Sequence, residues 1–283
     1  MACPMFAEVA SNLSKRTLLI WGASCRQTLH EAFEASGDAW VSVDLASWHP
    51  GPQGPWKSDD GATDADLEAA LGRIPVGRLR RLRLRGKFTD TGLAPILARH
   101  AGLQELSLFG PETRKRKLGG SGKEELTGES LLAVKRLRRL EVSGLPSAVA
   151  ALAGAKRLAP GPFVELEELV LHSPNESDLQ AVPTFTGLKV LEIAPAPLVF
   201  DERGHLRPVA DHKGLLQILR ACRKLESVSL EGTLLHQELV EALLQLPALT
   251  EVVGILAQDV NETVVQALLH KCANLALVSL HLQ

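Results

Sequence analysis

A spacing of apolar residues recurs along most of this chain and constrains its fold more than any other feature. From Leu79 onward, apolar side chains stand at offsets 0, +3 and +5 of a repeated unit. The complete sets are Leu79/Leu82/Leu84, Leu103/Leu106/Leu108, Leu137/Leu140/Val142, Leu166/Leu169/Leu171, Leu188/Leu191/Ile193, Leu225/Val228/Leu230 and Leu275/Val278/Leu280. Trp40/Val43/Leu45 fits the pattern upstream, whereas the set that begins with Leu249/Val252 has Gly254 at +5. The mean period is about 28 residues.

This spacing predicts an α/β protein built as a leucine-rich-repeat solenoid, a curved parallel sheet with outer helices. In a strand the residues at +3 and +5 point to one face, while those at +2, +4 and +6 point to the other. The segments between the sets, such as "LAPILARH", "ELVEALLQL" and "ETVVQALLHKC", have helical periodicity. A single repeat cannot bury both elements, so repeats stack and form a concave outer surface. Unrelated amphipathic helices would not place the sets so regularly.

Composition limits the classes of function. The chain has 283 residues, 45% of them hydrophobic, and a formal net charge of -2, which favours neither nucleic acid nor an anionic membrane as partner. Its four cysteines are far apart, which predicts a reducing compartment without a disulfide framework or zinc site. No apolar run approaches the ~18 residues of a membrane span. We therefore expect an intracellular protein, cytoplasmic or nuclear, that does not bind membranes.

Details of the repeats are similar to one known family. "FTDTGL" follows the first strand, and Cys222 and Cys272 each stand three residues before a leucine, in "ACRKL" and "KCANL". These features resemble the cysteine-containing leucine-rich repeats of F-box proteins. That family usually has Cys or Asn at +8, bonding the turn backbone. This chain has other residues at +8, so its turns need other hydrogen-bond partners. The residues at +8 are Lys87, Pro111, Leu145, Pro174, Ala196 and Thr233.

The segment before the repeats also resembles an F-box. The residues that match the order of that motif are Pro4, Leu13, Leu18, Leu19, Cys25, Arg26 and Trp40. The opening element is about two residues short, and the tryptophan usual after Cys-Arg is absent. The resemblance implies that Leu13, Leu18 and Leu19 bind a Skp-type adaptor of a cullin-RING (SCF-type) ubiquitin ligase. The alternative is a helical cap on the exposed end of the solenoid.

Three regions follow from these patterns. Residues 1–39 form an F-box-like helical segment, residues 40–78 a first irregular repeat with a Pro/Gly-rich loop, and residues 79–283 the leucine-rich-repeat solenoid. The long insertion in the third repeat contains the basic run Arg114–Lys117. This run fits a nuclear-import or nucleic-acid patch, but a solvated insertion is the favoured interpretation, and nucleic acid is not the expected partner.

The concave face is the expected binding site. Its outward residues on the first strands are the candidate contacts, Arg81, Arg83, Arg85, Glu105, Phe109, Arg139 and Glu141, and the last strand is predicted to add Ser279 and His281. Arginine binds carboxylates and phosphates through two parallel hydrogen bonds, so an acidic or phosphorylated peptide is the predicted ligand. The alternative is that Glu105 and Glu141 neutralise the arginines in a solvated ladder.

The sequence shows no catalytic constellation. No histidine stands in H-E-x-x-H, no serine in G-x-S-x-G, and "GGSGK" lacks the first glycine and the Ser/Thr of a phosphate-binding loop. We therefore expect neither an enzyme nor a bound cofactor or metal. The predicted function is a substrate receptor of an SCF-type ubiquitin ligase that holds its target on the concave face. The alternative is a leucine-rich-repeat scaffold or structural subunit with no ubiquitin role.

Overall fold

A computed structural model describes most of the predicted repeats. The described residues are 42–45, 62–72, 74–110, 128–145, 148–158, 166–194, 212–257 and 259–279. The predicted F-box-like segment, with Leu13, Leu18 and Leu19, lies outside the described residues. So does the basic run Arg114–Lys117.

The described strands form one parallel sheet. Nine of them lie side by side in the order β1-β3-β4-β5-β6-β7-β8-β9-β10, while the short β2 pairs only with the end of β3. The bounds are β1 Ser42–Asp44, β2 Ala62–Thr63, β3 Arg81–Lys87, β4 Glu105–Phe109, β5 Arg139–Ser143, β6 Glu168–His172, β7 Val190–Ala194, β8 Ser227–Leu235, β9 Glu251–Leu256 and β10 Asn274–Ser279. Every pairing is parallel, as the repeat predicted.

Helices return the chain between successive strands. They are α1 Asp64–Leu71, α2 Asp90–Arg99, α3 Ala148–Leu158, α4 Glu176–Ala181, α5 His212–Ala221, α6 Gln237–Leu244 and α7 Glu262–Lys271, with 3-10 helices at Glu129–Ala133 and Val182–Thr184. The three segments predicted as helical fall in α2, α6 and α7. Neighbouring helices pack on one another, and their buried side chains join those of the strands in one core. A strand and a helix repeated in order, with each unit packed on the next, is the architecture of a leucine-rich-repeat solenoid.

The strands contribute to the core through the residues at offsets 0, +3 and +5. The six complete sets from Leu79 to Leu230 are all buried, with no side chain more than 6% exposed. Strand pairing also matches offset to offset, since Leu106 pairs with Leu82 on one side and with Leu140 on the other. The predicted burial is confirmed for these sets, because a strand alternates its faces with a period of two.

Side chains of neighbouring repeats satisfy the turns that lack the family's usual Cys or Asn. The Asp64 carboxylate accepts hydrogen bonds from the Thr89 backbone N–H at 2.8 Å and from its hydroxyl at 2.6 Å. Thr89 in turn caps α2 by accepting from the Gly92 N–H at 3.2 Å. One repeat further on, Asp90 accepts from the Ser130 N–H at 3.0 Å. The bonds made by Asp64 and Asp90 each join two repeats.

Three later hydrogen bonds follow the same principle. Asp178 accepts from the N–H groups of Val149 and Ala150 at 3.1 and 3.3 Å, so it caps α3 from the following repeat. Gln237 accepts from the Asn261 N–H at 2.8 Å, just before α7. The backbone N–H groups at the start of a helix have no acceptor within the helix, and these side chains provide the acceptors.

An insertion in β8 explains the glycine that breaks the pattern at +5. After Ser229, four residues of β8 stand opposite a single residue of β9 before pairing resumes at Leu234. The next side chain, Leu235, is completely buried. A Cβ atom placed on Gly254 would lie 2.7 Å from the Leu235 Cδ1 atom. The inserted strand therefore brings in a leucine that fills the core space left by Gly254.

The last strand corrects one prediction. Leu275 pairs with Val252, which stands at +3 of its own repeat, so Leu275 is also a +3 residue and Cys272 takes offset 0. The predicted set Leu275/Val278/Leu280 is therefore wrong by three residues. The strand begins soon after α7 ends at Lys271, which leaves no room for the turn present in other repeats. Asn274 and Ala276, both exposed, occupy the outward positions instead of Ser279, while His281 lies outside the described residues.

Candidate binding face

The side chains that point away from the helices form a continuous surface on the sheet. We call this surface the open face and define it by the residues at +2, +4 and +6 of strands β3 to β9. All seven predicted contact residues lie on it, on the adjacent strands β3, β4 and β5. Pairing aligns them in rows across the strands: Arg81–Glu105–Arg139, Arg83–Ser107–Glu141 and Arg85–Phe109–Ser143.

The first row alternates positive and negative charge. Arg81 Nε lies 2.8 Å from Glu105 Oε1, and Arg139 Nη1 lies 2.9 Å from Glu168 Oε2 on β6. These cross-strand pairs are partly exposed, so each contributes little to stability, of the order of ~1 kcal/mol or less. Their effect is to hold long side chains in defined positions on the face.

Arg83, in the second row, contacts the aromatic residue of the third row and a carboxylate on the neighbouring edge strand. Its guanidinium carbon lies 4.8 Å from the centre of the Phe109 ring, within the range of a cation–π contact. Its Nη1 atom lies 3.8 Å from Asp44 Oδ2 on the edge strand β1. The aromatic ring and the carboxylate thus orient one arginine from two sides.

Glu141 and His172 form the most buried polar contact of the open face. Glu141 accepts a hydrogen bond from the Ser107 hydroxyl at 2.8 Å, and His172 Nε2 lies 3.2 Å from its other oxygen. The hydrogen bond to His172 is the main cause that lowers the pKa of Glu141, and it also raises the pKa of His172. Each group therefore favours the charged form of the other. The ring of His172 also lies 6.3 Å from that of Phe109.

The geometry has features of both interpretations of the arginines, the solvated ladder and the site for an acidic ligand. Glu105 and Asp44 offset part of the charge of Arg81 and Arg83, as a solvated ladder requires. The side chains of Arg81 and Arg83 nevertheless stay 62% and 47% exposed, so a partner can reach them. Arg85 is half-buried on the same strand.

Sequence reasoning did not select two residues of this cluster, Asp44 and His172. Asp44 stands at +4 of the irregular set that contains Val43, and His172 stands at +6 of β6. Both positions follow from the repeat offsets. Their contacts do not: His172 reaches Glu141 diagonally between strands, and the contact of Asp44 with Arg83, its direct strand partner, depends on side-chain conformation.

The remainder of the open face carries more acid than base. Glu192 and Glu231 lie close enough to His172 to raise its pKa further. On the next strands, the Ser227 hydroxyl donates to Glu251 at 2.9 Å. The sheet therefore has arginines toward β3 and carboxylates toward β9.

The described residues offer little for metal or redox chemistry. Among them, no three histidine, cysteine or carboxylate side chains are arranged to hold a metal ion. Cys222 and Cys272 are buried free thiols, and burial raises the pKa of Cys272. Cys222 donates to the Phe185 carbonyl at 3.6 Å, as a packed core thiol. In this part of the chain, no helix is both long and apolar enough to cross a membrane.

Comparisons with known proteins find similarity among solved structures only at the level of overall fold. No protein-family model matches the chain, and no curated protein matches it. Among solved structures, an internalin (inlF) from Listeria monocytogenes is similar over 73% of this chain and 69% of that chain, with 18% sequence identity and a TM-score of 0.37. The repeat architecture is established by the strand pairing and buried sets of the chain itself.

Proposed function

We propose that this chain is a non-catalytic protein-binding scaffold that holds a partner on the open face between β3 and β6. The observation that supports this most directly is the arginine pair Arg81 and Arg83, fixed by neighbours yet largely exposed. Arginine and aromatic side chains held in place before binding lose little entropy on association. Such groups commonly contribute much of the affinity at protein interfaces.

The partner proposed for this site is an acidic or phosphorylated peptide. Arg81 uses one nitrogen for Glu105, and a guanidinium has five N–H donors. A carboxylate or phosphate of the partner can therefore add to this pair or displace Glu105. Arg139, Glu141 and Phe109 border the same area and would contact the remainder of the peptide.

Replacing the two exposed arginines should weaken partner binding by about tenfold at low salt, because charge-assisted hydrogen bonds are lost. Partners would be captured with the native chain, identified, purified, and titrated against Arg81→Ala with Arg83→Ala. The difference should shrink toward 1 M salt, where the Debye length falls to ~3 Å. Lys213→Ala with Arg220→Ala, on the exposed side of α5, is the matched control. Unchanged affinity of the Arg81/Arg83 variant at low salt would contradict the proposal. It would mean that these arginines only pair with neighbouring carboxylates in a solvated ladder.

A second candidate function is the ubiquitin-ligase receptor, favoured by the F-box-like order of residues from Pro4 to Trp40. In that role Leu13, Leu18 and Leu19 bind a Skp-type adaptor, and the open face binds the protein to be ubiquitinated. Catalysis then belongs to other subunits, and the receptor works in the cytoplasm or nucleus. The shortened opening element reduces the area available for the adaptor.

Adaptor binding can be tested by a pull-down with a purified Skp-type adaptor. If the resemblance extends to function, the native chain is retained and Leu18→Asp with Leu19→Asp abolishes retention, because buried leucines can dominate such a contact. Leu269→Asp, at a leucine that is 47% exposed on α7, is the matched control and should bind like the native chain. Circular dichroism checks that all three proteins are folded. Failure of the native chain to bind removes the ligase role and leaves the scaffold.

A further inference from the structure

The turns that precede the strands carry a concentration of basic side chains that the net charge of -2 hides. Around the seven offset-0 leucines from Leu79 to Leu249, the flanking positions hold eight described cations. They are Arg78, Arg80, Lys135, Arg136, Arg138, Lys189, Arg223 and Lys224, and we call them the strand-start edge. The same positions hold two described acids, Glu167 and Glu226.

Parallel pairing brings these turns to one border of the sheet. The Gln104 N–H donates to the Arg80 carbonyl at 2.8 Å, and the Arg138 N–H donates to the Gln104 carbonyl at 2.8 Å. Arg80, Gln104 and Arg138 are therefore consecutive along the border. Since neighbouring strands lie about 4.8 Å apart, the backbones of Arg80 and Arg138 are separated by about 10 Å.

Few of these cations have a carboxylate partner. Lys189 Nζ lies 3.5 Å from Glu167 Oε2, which is the one ion pair of the edge among the described residues. Arg80 and Arg223 donate to backbone carbonyls, of Gly102 and Gln245. Five others are exposed, and their side chains make no hydrogen bond or ion pair within the described part of the chain: Arg78, Lys135, Arg136, Arg138 and Lys224.

Helix dipoles do not account for this charge. Cations are favourable in the last turn of a helix, where carbonyl groups are unsatisfied. Arg80 and Arg138, however, stand one residue beyond the offset-0 leucine, at the entry to a strand. Arg136 follows a 3-10 helix of five residues, Glu129–Ala133, whose dipole is small. The opposite border is acidic for a structural reason, since residues such as Asp64 and Asp178 cap helices there.

We propose that the strand-start edge is a second docking surface, separate from the open face, for an acidic polypeptide segment of a partner protein. Arginine binds carboxylates through two parallel hydrogen bonds, and the exposed guanidinium groups here have free donors. Side chains on one side of an extended peptide repeat about every 7 Å, so acidic residues of one segment can reach successive cations along the border.

The composition of the edge favours a polypeptide over other polyanions. Binding of single-stranded nucleic acid usually relies on exposed aromatic rings that stack on bases, and membrane surfaces are anchored by exposed aromatic or leucine side chains. The described residues of the edge include no such aromatic group, because Phe185, the nearest, is 4% exposed and packed in the core. The large exposed apolar side chains closest in sequence to these cations are Val76 and the partly exposed Leu132, so the row of cations is the main feature of the border.

The test is fluorescence anisotropy with a labelled oligo-glutamate peptide of about twelve residues at about 50 mM salt, where surface charges are weakly screened. Arg136→Glu with Arg138→Glu should weaken binding by about tenfold or more, and Arg136→Lys with Arg138→Lys should retain most of it. Lys87→Glu with Lys213→Glu makes the same change in net charge away from the edge and should leave affinity within about twofold. Because an acidic peptide can also bind the open face, every protein in this comparison carries Arg81→Ala with Arg83→Ala as its background, so that the affinity measured is that of the strand-start edge.

Two results would overturn the proposal. An equal loss in the Lys87/Lys213 control would mean that the peptide responds only to net charge. Tighter binding of single-stranded oligothymidylate or of phosphatidylserine vesicles than of oligo-glutamate, lost in the Arg136/Arg138 charge reversal, would assign the edge to nucleic acid or membrane instead. All variants should keep the circular dichroism of the native chain, because Arg136 and Arg138 are exposed and make no described side-chain contact.

Discussion

Leu106→Ala should lower the free energy of unfolding by about 2 to 5 kcal/mol, one of the two largest effects we expect. Leu106 is completely buried at +3 of β4, between Leu82 and Leu140 on the neighbouring strands. Removing three carbon atoms there loses apolar burial and leaves a cavity that the rigid sheet cannot close. Leu169→Ala, at the equivalent position of β6, should cost a similar amount.

Urea denaturation followed by circular dichroism measures this effect. Leu269→Ala is the control, because Leu269 is 47% exposed on α7 and the same truncation there should cost less than about 1 kcal/mol. A loss for Leu106→Ala no larger than that of the control would contradict the assignment of the offset +3 residues to the core.

Acid should destabilise the protein through His100 by about 3 kcal/mol between pH 7 and pH 4. The side chain is completely buried at the end of α2, and neither ring nitrogen has a hydrogen-bond partner among the described residues. Burial, with a smaller contribution from Arg99, lowers the pKa of His100 from 6.5 to about 4. The folded state thus keeps the ring neutral, whereas the unfolded chain gains a proton below pH 6.5. Stability from this group is complete above that pH and is lost as the pH falls toward 4.

The contribution of His100 is isolated by comparing the native chain with His100→Leu. Equivalent positions, three residues before the offset-0 leucine, hold the buried apolar residues Val134, Phe185, Cys222 and Leu246, so leucine suits the site. The variant should be at least as stable as the native chain at pH 7 and should lose about 3 kcal/mol less on acidification, measured by urea unfolding at each pH. Parallel pH curves for the two proteins would show that His100 is not the acid-sensitive group.

The repeated sets predicted most of the sheet because strand geometry leaves a single choice of face. A leucine at +3 or +5 of a stacked strand can face either the core or the solvent. Because burial of apolar surface is favourable, the strand turns this face toward the core. The parallel order then follows from stacking identical units. This is why the six sets from Leu79 to Leu230 are buried as predicted, without knowledge of any contact.

The departures occur where two arrangements satisfy the same pattern. In "CANLALVSLHL" the sets Cys272/Leu275/Leu277 and Leu275/Val278/Leu280 are both apolar, and the end of α7 decides between them. Gly254 marked an irregular repeat in the sequence, but its partner Leu235 became visible only through the insertion in β8. Local spacing cannot specify which residue of a neighbouring repeat fills a gap.

The binding face was predictable to a similar extent. The repeat offsets placed Arg81, Glu105 and Phe109 on one surface, and the structure has them there. The ion pair of Arg81 with Glu105 joins directly opposite residues, as the solvated-ladder alternative expected, whereas the contact of Glu141 with His172 runs diagonally between strands. Position on the face and direct cross-strand pairs could thus be derived from periodicity, while the diagonal contacts could not.

The hydrogen bonds between the backbone of one repeat and a side chain of a neighbouring repeat determine how this protein can be shortened. Asp64 accepts a hydrogen bond from Thr89, Asp178 from the start of α3, and Gln237 from Asn261. Each of these bonds needs both of the repeats that it joins. A cut between two repeats would strip a helix start of its acceptor and leave a carboxylate or amide without its donor. Fragments ending at a strand boundary would therefore begin with frayed helices, and a truncation series meant to map partner binding has to remove repeats together with the residue that caps them.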